Sequence, residues 1–363
     1  MFSFYKNKTI VRVCSLLIAF FLFTGCSLFE EKIEISWFDT DGELIESATF
    51  PVGYDPASRE LPEDSDEWHY TEWTVTQAGQ ITVCTAKRVA KSHIVWKDHD
   101  GTILHEEYFV EDEDETPKFD LPENNEKWNY VKWEKETIKD EHTCTAIREP
   151  NGDYFVGNVF QIVVKDKDGE AFGTGSGFIL NSEGWFITNN HVMEEAHSAS
   201  AFFDIKDEEG GRYTELQILG GVFNHEKKDI FIGKIAGYEK IADHYKEIDF
   251  CESYEVGEEC YSVGYPNSSV KMEINKGTVK EEYSDIHGKL DGVYYILSDS
   301  YIAPGSSGGI LVNGDFEVIG ITSLGLYNNG EYTSGGSIPY ELFKIHLKSY
   351  KVSDIKKLTE IYK

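Results

Sequence analysis

The 363-residue chain is poor in positive charge, with 34 lysines and arginines against 65 aspartates and glutamates and a formal net charge of -31. Such a surface repels phosphate backbones, which excludes nucleic acid as a partner and predicts a solvated acidic exterior. It also lacks long apolar runs. Val13 to Phe23 is an apolar stretch of eleven, short of the ~20 residues a bilayer-spanning helix needs. Cysteine is scarce, at 6 residues, and none has the CxxC or Cys/His spacing of a zinc site. No metal or cofactor is expected. What is plentiful is aromatic side chain, 14% of the chain, enough to fill the cores of two or three domains and to exclude global disorder.

The N-terminal stretch reads as a targeting signal. Lys6, Lys8 and Arg12 form a positive region ahead of the apolar run, and Leu22-Phe23-Thr24-Gly25-Cys26 closes it with small residues before a cysteine. That string resembles the lipobox of bacterial lipoproteins. The resemblance implies a signal peptide over 1–25, lipidation of Cys26, a tether over 26–32 and an extracytoplasmic protein anchored in the cell membrane by lipid. Cys14 leaves with the signal. Cys84 and Cys144 read as small buried hydrophobes, while Cys251 and Cys260 lie close enough in sequence for a disulfide, which only geometry can test.

Residues 33–90 and 92–150 form an internal repeat. Ser36-Trp37, Asp41-Gly42, Leu61-Pro62, Trp68, Trp73 and Cys84-Thr85-Ala86 recur as Val95-Trp96, Asp100-Gly101, Leu121-Pro122, Trp128, Trp133 and Cys144-Thr145-Ala146. Each copy opens with an alternating strand, Ile33, Ile35 and Trp37 on one face in the first, and turns at Asp-Gly into a second strand. The pattern resembles the short β-rich, often β-grasp-like repeats of bacterial surface proteins. Tryptophans at matched positions of so small a module read as its core rather than a carbohydrate platform. The repeats then serve as a spacer or as a docking surface for a cell-surface partner.

Beyond the loop signal Asn151-Gly152-Asp153, residues 151–363 break into many short β-branched strands with Gly-rich connections, an all-β pattern. Tyr340 to Tyr362 alone reads as helical. Three segments carry chemistry. A serine hydroxyl needs a base, an orienter for that base and donors for the oxyanion. Ala303-Pro304-Gly305-Ser306-Ser307-Gly308-Gly309 places a serine in a Gly-rich turn, Thr188-Asn189-Asn190-His191-Val192 offers a base, and Lys228-Asp229-Ile230-Phe231 an acid.

These strings resemble the nucleophile loop, histidine strand and acid strand of trypsin-like peptidases, closest to the HtrA and glutamyl-endopeptidase branch. The resemblance implies a chymotrypsin-like double β-barrel with a short C-terminal helix, and a His191, Asp229, Ser307 triad in chymotrypsin order. It also implies Gly305 and Ser307 as backbone oxyanion donors. Tyr301, where trypsin-type enzymes place a pocket acid, and Thr322, Ser323, Leu324 and Gly325, on the strand lining the cleft, become the specificity residues. Thr322 stands where glutamate-specific relatives carry histidine, so a small or medium apolar P1 residue in protein or peptide substrates is expected. Ser306 replaces the aspartate that pairs with a cut N-terminus. The HtrA likeness ends after Pro339, and the 24 residues beyond it are too few for a PDZ module. The alternative is a catalytically silent surface binding protein or adhesin.

Overall fold

The computed structural model describes residues 31–111, 114–206, 214–284 and 294–362. Cys26 and the targeting signal lie outside the described residues, among which no helix is long and apolar enough to cross a membrane. The chain divides into two compact units. One takes in the chain as far as Pro122 plus Lys132–Ile147, and the other joins Glu123–Val131 to Arg148–Lys363.

The first unit holds two four-stranded sheets. β1 (Lys32–Phe38), β2 (Leu44–Pro51), β3 (Trp68–Ala78) and β4 (Ile81–Ala90) lie in the order β2-β1-β4-β3. β5 (Ser92–Lys97), β6 (Ile103–Phe109), β7 (Trp128–Ile138) and β8 (Glu141–Pro150) repeat that order as β6-β5-β8-β7, with β7 and β8 running on into the second unit. The central pair of each sheet is parallel and its first hairpin antiparallel. Gly42 and Gly101 sit at φ +82 and +90 in the two hairpin turns, the left-handed backbone for which Asp-Gly is suited. Ile33, Ile35 and Trp37 are buried on one face of β1 against Cys84 and Ala86.

The repeat tryptophans do not share one fate. Trp37, Trp73 and Trp96 are core residues, whereas Trp68 is half-buried under the Arg88 guanidinium, 4.1 Å from its ring. Trp128, expected in the core of the second repeat, is instead 4% exposed in the main core cluster of the second unit, its ring 4.4 Å from Phe316 and 5.7 Å from Tyr261. Cys84, Cys144, Cys251 and Cys260 are all free thiols, so Cys251 and Cys260 form no bridge. Burial pushes the Cys260 thiol up to about 12.

Twelve strands of the second unit close into two barrels. β9 (Val159–Lys165), β10 (Ala171–Ile179), β11 (Trp185–Thr188), β12 (Ser198–Phe203), β13 (Thr214–His225) and β14 (Ile230–Ile235) form the first, in the order β10-β11-β14-β13-β12-β9. The second comprises β15 (Glu259–Gly264), β16 (Glu273–Ser284), β17 (Tyr294–Ser298), β18 (Ile310–Asn313), β19 (Val318–Asn328) and β20 (Glu331–Pro339), ordered β15-β16-β17-β20-β19-β18. Closure removes the edges that short antiparallel strands would otherwise expose. Phe160, Phe186, Phe203 and Phe231 fill the first barrel at 0% exposure, each contributing roughly 1.5–3 kcal/mol of burial. This is the double-barrel architecture expected from the sequence.

The helical pattern over 340–362 is realised as separate single turns, including Tyr340–Phe343 and Leu358–Ile361. Their apolar residues serve different cores. Phe343 joins the cluster of the second barrel and Leu358 that of the first,

Candidate active site

Strand register brings the base and the acid together. β11 runs antiparallel to β14 with Thr188 opposite Phe231, so the residues just after β11 lie beside those just before β14. His191 sits in the helical turn Asn190–Met193 that follows β11. Asp229 closes a turn through its N–H to Glu226 O, 3.1 Å, at φ +53, a left-handed conformation that aspartate tolerates better than most residues. Asn189, wholly buried, donates its side-chain N–H to the Asp229 carbonyl at 3.1 Å.

The Asp229 carboxylate accepts three hydrogen bonds. Oδ1 takes the backbone N–H of His191 at 2.9 Å, and Oδ2 takes His191 Nδ1–H at 2.8 Å and the Ser323 hydroxyl at 2.9 Å. An ionised carboxylate only accepts, so this set assigns the proton to Nδ1 and leaves Nε2 as a lone-pair acceptor. The acid is buried while the imidazole is 46% exposed. The base is thus oriented from behind and open in front. Burial, and after it the charge of Asp229, push the Tyr295 phenol up to about 12, so Tyr295 stays neutral near the acid.

The loop Ala303–Gly309 is pinned by its carbonyls. Pro304 O accepts from Asn267 N at 2.6 Å, Gly305 O from Ser176 Oγ at 2.7 Å, Ser306 O from Thr322 Oγ1 at 2.6 Å, and Ser307 O from Ser176 N at 2.7 Å. The N–H groups of Ser306, Gly308 and Gly309 are also spent within the fold. Those of Gly305 and Ser307 have no intramolecular acceptor among the described residues. Each belongs to a peptide whose carbonyl, Pro304 or Ser306, is held on its opposite side, and this fixes the direction of both donors. Gly305 lies at φ +99, and a Cβ there would stand 2.5 Å from Tyr265 O, so only glycine fits.

The Ser307 hydroxyl donates to Ser323 O at 2.9 Å. No hydrogen bond joins it to His191 among the described residues. Ser323 thereby touches both acid and nucleophile, and it is buried together with Thr322. Tyr301, Leu324 and Gly325 remain partly or well exposed. Beside them the sequence missed Ile302 and Gly335. Ile302 is 1% exposed, and a Cβ on Gly335 would come within 2.4 Å of its Cδ1. Ser176 was missed too, although its N–H and hydroxyl both hold the serine loop. Its only sequence signal was its place in Gly173-Thr174-Gly175-Ser176-Gly177.

Residues 175–321 match the family model described as the trypsin-like peptidase domain. The chain contains a trypsin-like peptidase domain. A probable periplasmic serine endoprotease DegP-like of Hahella chejuensis is 32% identical over 156 residues, 42% of this chain and 30% of that protein. The putative serine protease HhoB of a Synechocystis species is 29% identical over 193 residues, 51% of this chain and 43% of that one. Among solved structures, the HtrA-type protease AlgW with tripeptide aligns at a TM-score of 0.42 and 23% identity, over 52% of this chain and 60% of that one. The chain spans about a third of the length of the DegP-like relatives it matches.

Asp98, His99 and Asp100 form the only grouping of potential metal ligands among the described residues. They lie at the exposed hairpin turn of the second sheet, in a different unit from the peptidase domain.

Proposed function

We propose that this protein is an extracytoplasmic serine endopeptidase, tethered through a lipidated Cys26, that hydrolyses peptide bonds with His191, Asp229 and Ser307. The observation that carries the reading is the serine loop, whose carbonyls are tied back and whose Gly305 and Ser307 N–H groups are left without acceptors. Two fixed donors beside a serine hydroxyl suit the oxyanion of acyl transfer.

In this mechanism Ser307 rotates its hydroxyl from Ser323 O toward His191, trading one hydrogen bond for another at a cost of about 1 kcal/mol or less. His191 Nε2 takes the proton as Oγ bonds to the substrate carbonyl carbon, and the oxyanion is held by Gly305 and Ser307 N–H. His191 passes that proton to the amide nitrogen as the C–N bond breaks. A water then gives a proton to His191 and attacks the ester, and the proton returns to Ser307 Oγ as the acid product leaves. Asp229 keeps the imidazole in the Nδ1–H tautomer throughout.

A small or medium apolar P1 residue is supported by Ile302, packed beside Gly335 and held through its N–H to the Tyr332 hydroxyl at 3.1 Å. The two repeats would act as a spacer or docking surface. A fluorophosphonate probe should label the wild-type chain and not Ser307→Ala, and casein should be cleaved only by the former. Equal labelling of both would sink the nucleophile assignment, and a peptide-library profile dominated by charged P1 residues would sink the specificity.

A further inference from the structure

The C-terminal segment reaches back to the residue next to the catalytic histidine. Lys356 pairs with Gly221 of β13 through two backbone hydrogen bonds of 2.9 and 3.0 Å. A Cβ on the neighbouring Gly220 would stand 2.1 Å from Lys356 O, so the glycine pair makes room for the segment. Leu358, 3% exposed, enters the core of the first barrel, with Ile361 and Tyr362 packed against it. The Tyr362 ring stacks on Phe231, two residues after Asp229, with centroids 6.4 Å apart and planes at 20°. Its hydroxyl donates to Asn190 Oδ1 at 2.8 Å and lies 3.5 Å from Asn190 O.

Asn190 is 4% exposed and opens the four-residue helical turn that contains His191. A single turn has no stability of its own, because nucleation fixes several residues for one hydrogen bond. This one also lacks a side-chain cap, since Asn189 spends its amide on Asp229. Its position therefore depends on tertiary contacts. Burial raises the Tyr362 phenol, and the carboxylates of Glu194, Asp229 and Glu226 add to the shift, so it stays a donor at neutral pH.

We propose that Tyr362 is a positioning residue of the peptidase site: by hydrogen bonding to Asn190 and stacking on Phe231 it braces the turn bearing His191 against the strand bearing Asp229. The inference rests on the peptidase reading above. The test uses the full chain carrying Tyr362→Phe, which keeps the ring and removes only the donor. Loss of one hydrogen bond predicts a kcat lower by about threefold to tenfold with KM unchanged. It also predicts a shifted or broadened low-field proton resonance of the His191 Nδ1–H bond to Asp229. A wild-type chain that no fluorophosphonate labels defeats the peptidase reading, and the proton resonance still decides the positioning role. An unaltered resonance in Tyr362→Phe overturns it, as does a rise in KM with kcat intact. Should Tyr362→Phe not fold, Asn190→Ala removes the acceptor instead and must show the same change; a wild-type resonance there overturns the proposal.

Discussion

Replacing Asp229 by asparagine probes the tautomer logic of the site with almost no change of volume. The carboxylate meets donors on every side: the His191 backbone N–H at Oδ1, and His191 Nδ1–H with the Ser323 hydroxyl at Oδ2. An amide offers one acceptor and one donor, so no orientation satisfies all three as found. With its NH2 at the Oδ1 position, two donors face each other at 2.9 Å and one buried N–H goes unpaired, at a cost of about 1–3 kcal/mol. With its NH2 at the Oδ2 position, Ser323 can rotate to accept, but His191 Nδ1 must then become an acceptor and Nε2 carries the proton. The second orientation is the cheaper one, and it removes the base. A histidine held in the wrong tautomer lowers the rate by about 10⁴, equivalent to about 5.4 kcal/mol of barrier. The assay is the second-order rate constant for fluorophosphonate labelling of Ser307, with a thermal melt to verify folding. A folded Asp229→Asn chain labelled within tenfold of wild type would refute the assignment of Asp229 as orienter and the tautomer drawn here.

Thr322→Val removes the hydroxyl that anchors Ser306 O at 2.6 Å and leaves the Ser307 N–H less well aimed; kcat should fall about tenfold, less than for outright loss of an oxyanion donor, with KM unchanged. Trp128→Ala should cost the second unit about 3–5 kcal/mol in denaturant unfolding, because the ring is buried between Phe316 and Tyr261; a loss confined to the first unit would contradict that placement. The His346 imidazole is held below 6.5 by burial first, then by the cations of Lys228, His225 and Lys348, with Phe223 stacked on its ring. As the pH falls through 6.5 the unfolded chain binds this proton and the folded one resists it, so stability drops on the acid side. His346→Gln should flatten that decline in the melting temperature, and an unchanged slope would show that other groups govern it.

The order of strands and the three chemical strings were legible because each is local. Thr188-Asn189-Asn190-His191, Lys228-Asp229-Ile230 and Gly305-Ser306-Ser307-Gly308 each state a turn and a functional group within a few residues, and the Asp-Gly pairs state their hairpins in the same way. The partners of small polar side chains were not legible. Ser176 holds Gly305 O from 129 positions away in the chain, and nothing in its own segment separates a clamp from a filler serine. Thr322 and Ser323 were assigned to the substrate cleft from a strand pattern. Register turns their hydroxyls instead to Ser306 O and the Asp229 carboxylate.

The two largest departures have one physical cause, which is that an apolar pattern records how much surface a segment must bury and not against what. Trp128 occupies the repeat position matching Trp68, yet it packs with Tyr261 and Phe316, while Trp68 stays half-buried under Arg88. Over 340–362 the apolar spacing suits a helix, but Phe343 and Leu358 are drawn to different barrels and the chain between them runs in short turns and an extended stretch at Lys356. Each contact gains the same few kcal/mol per buried side chain whichever core supplies it. A helix of 23 residues would be worth less than two separate burials plus a ladder pair. That choice carries Tyr362 to Asn190, and so lets the far end of the chain bear on the geometry of His191.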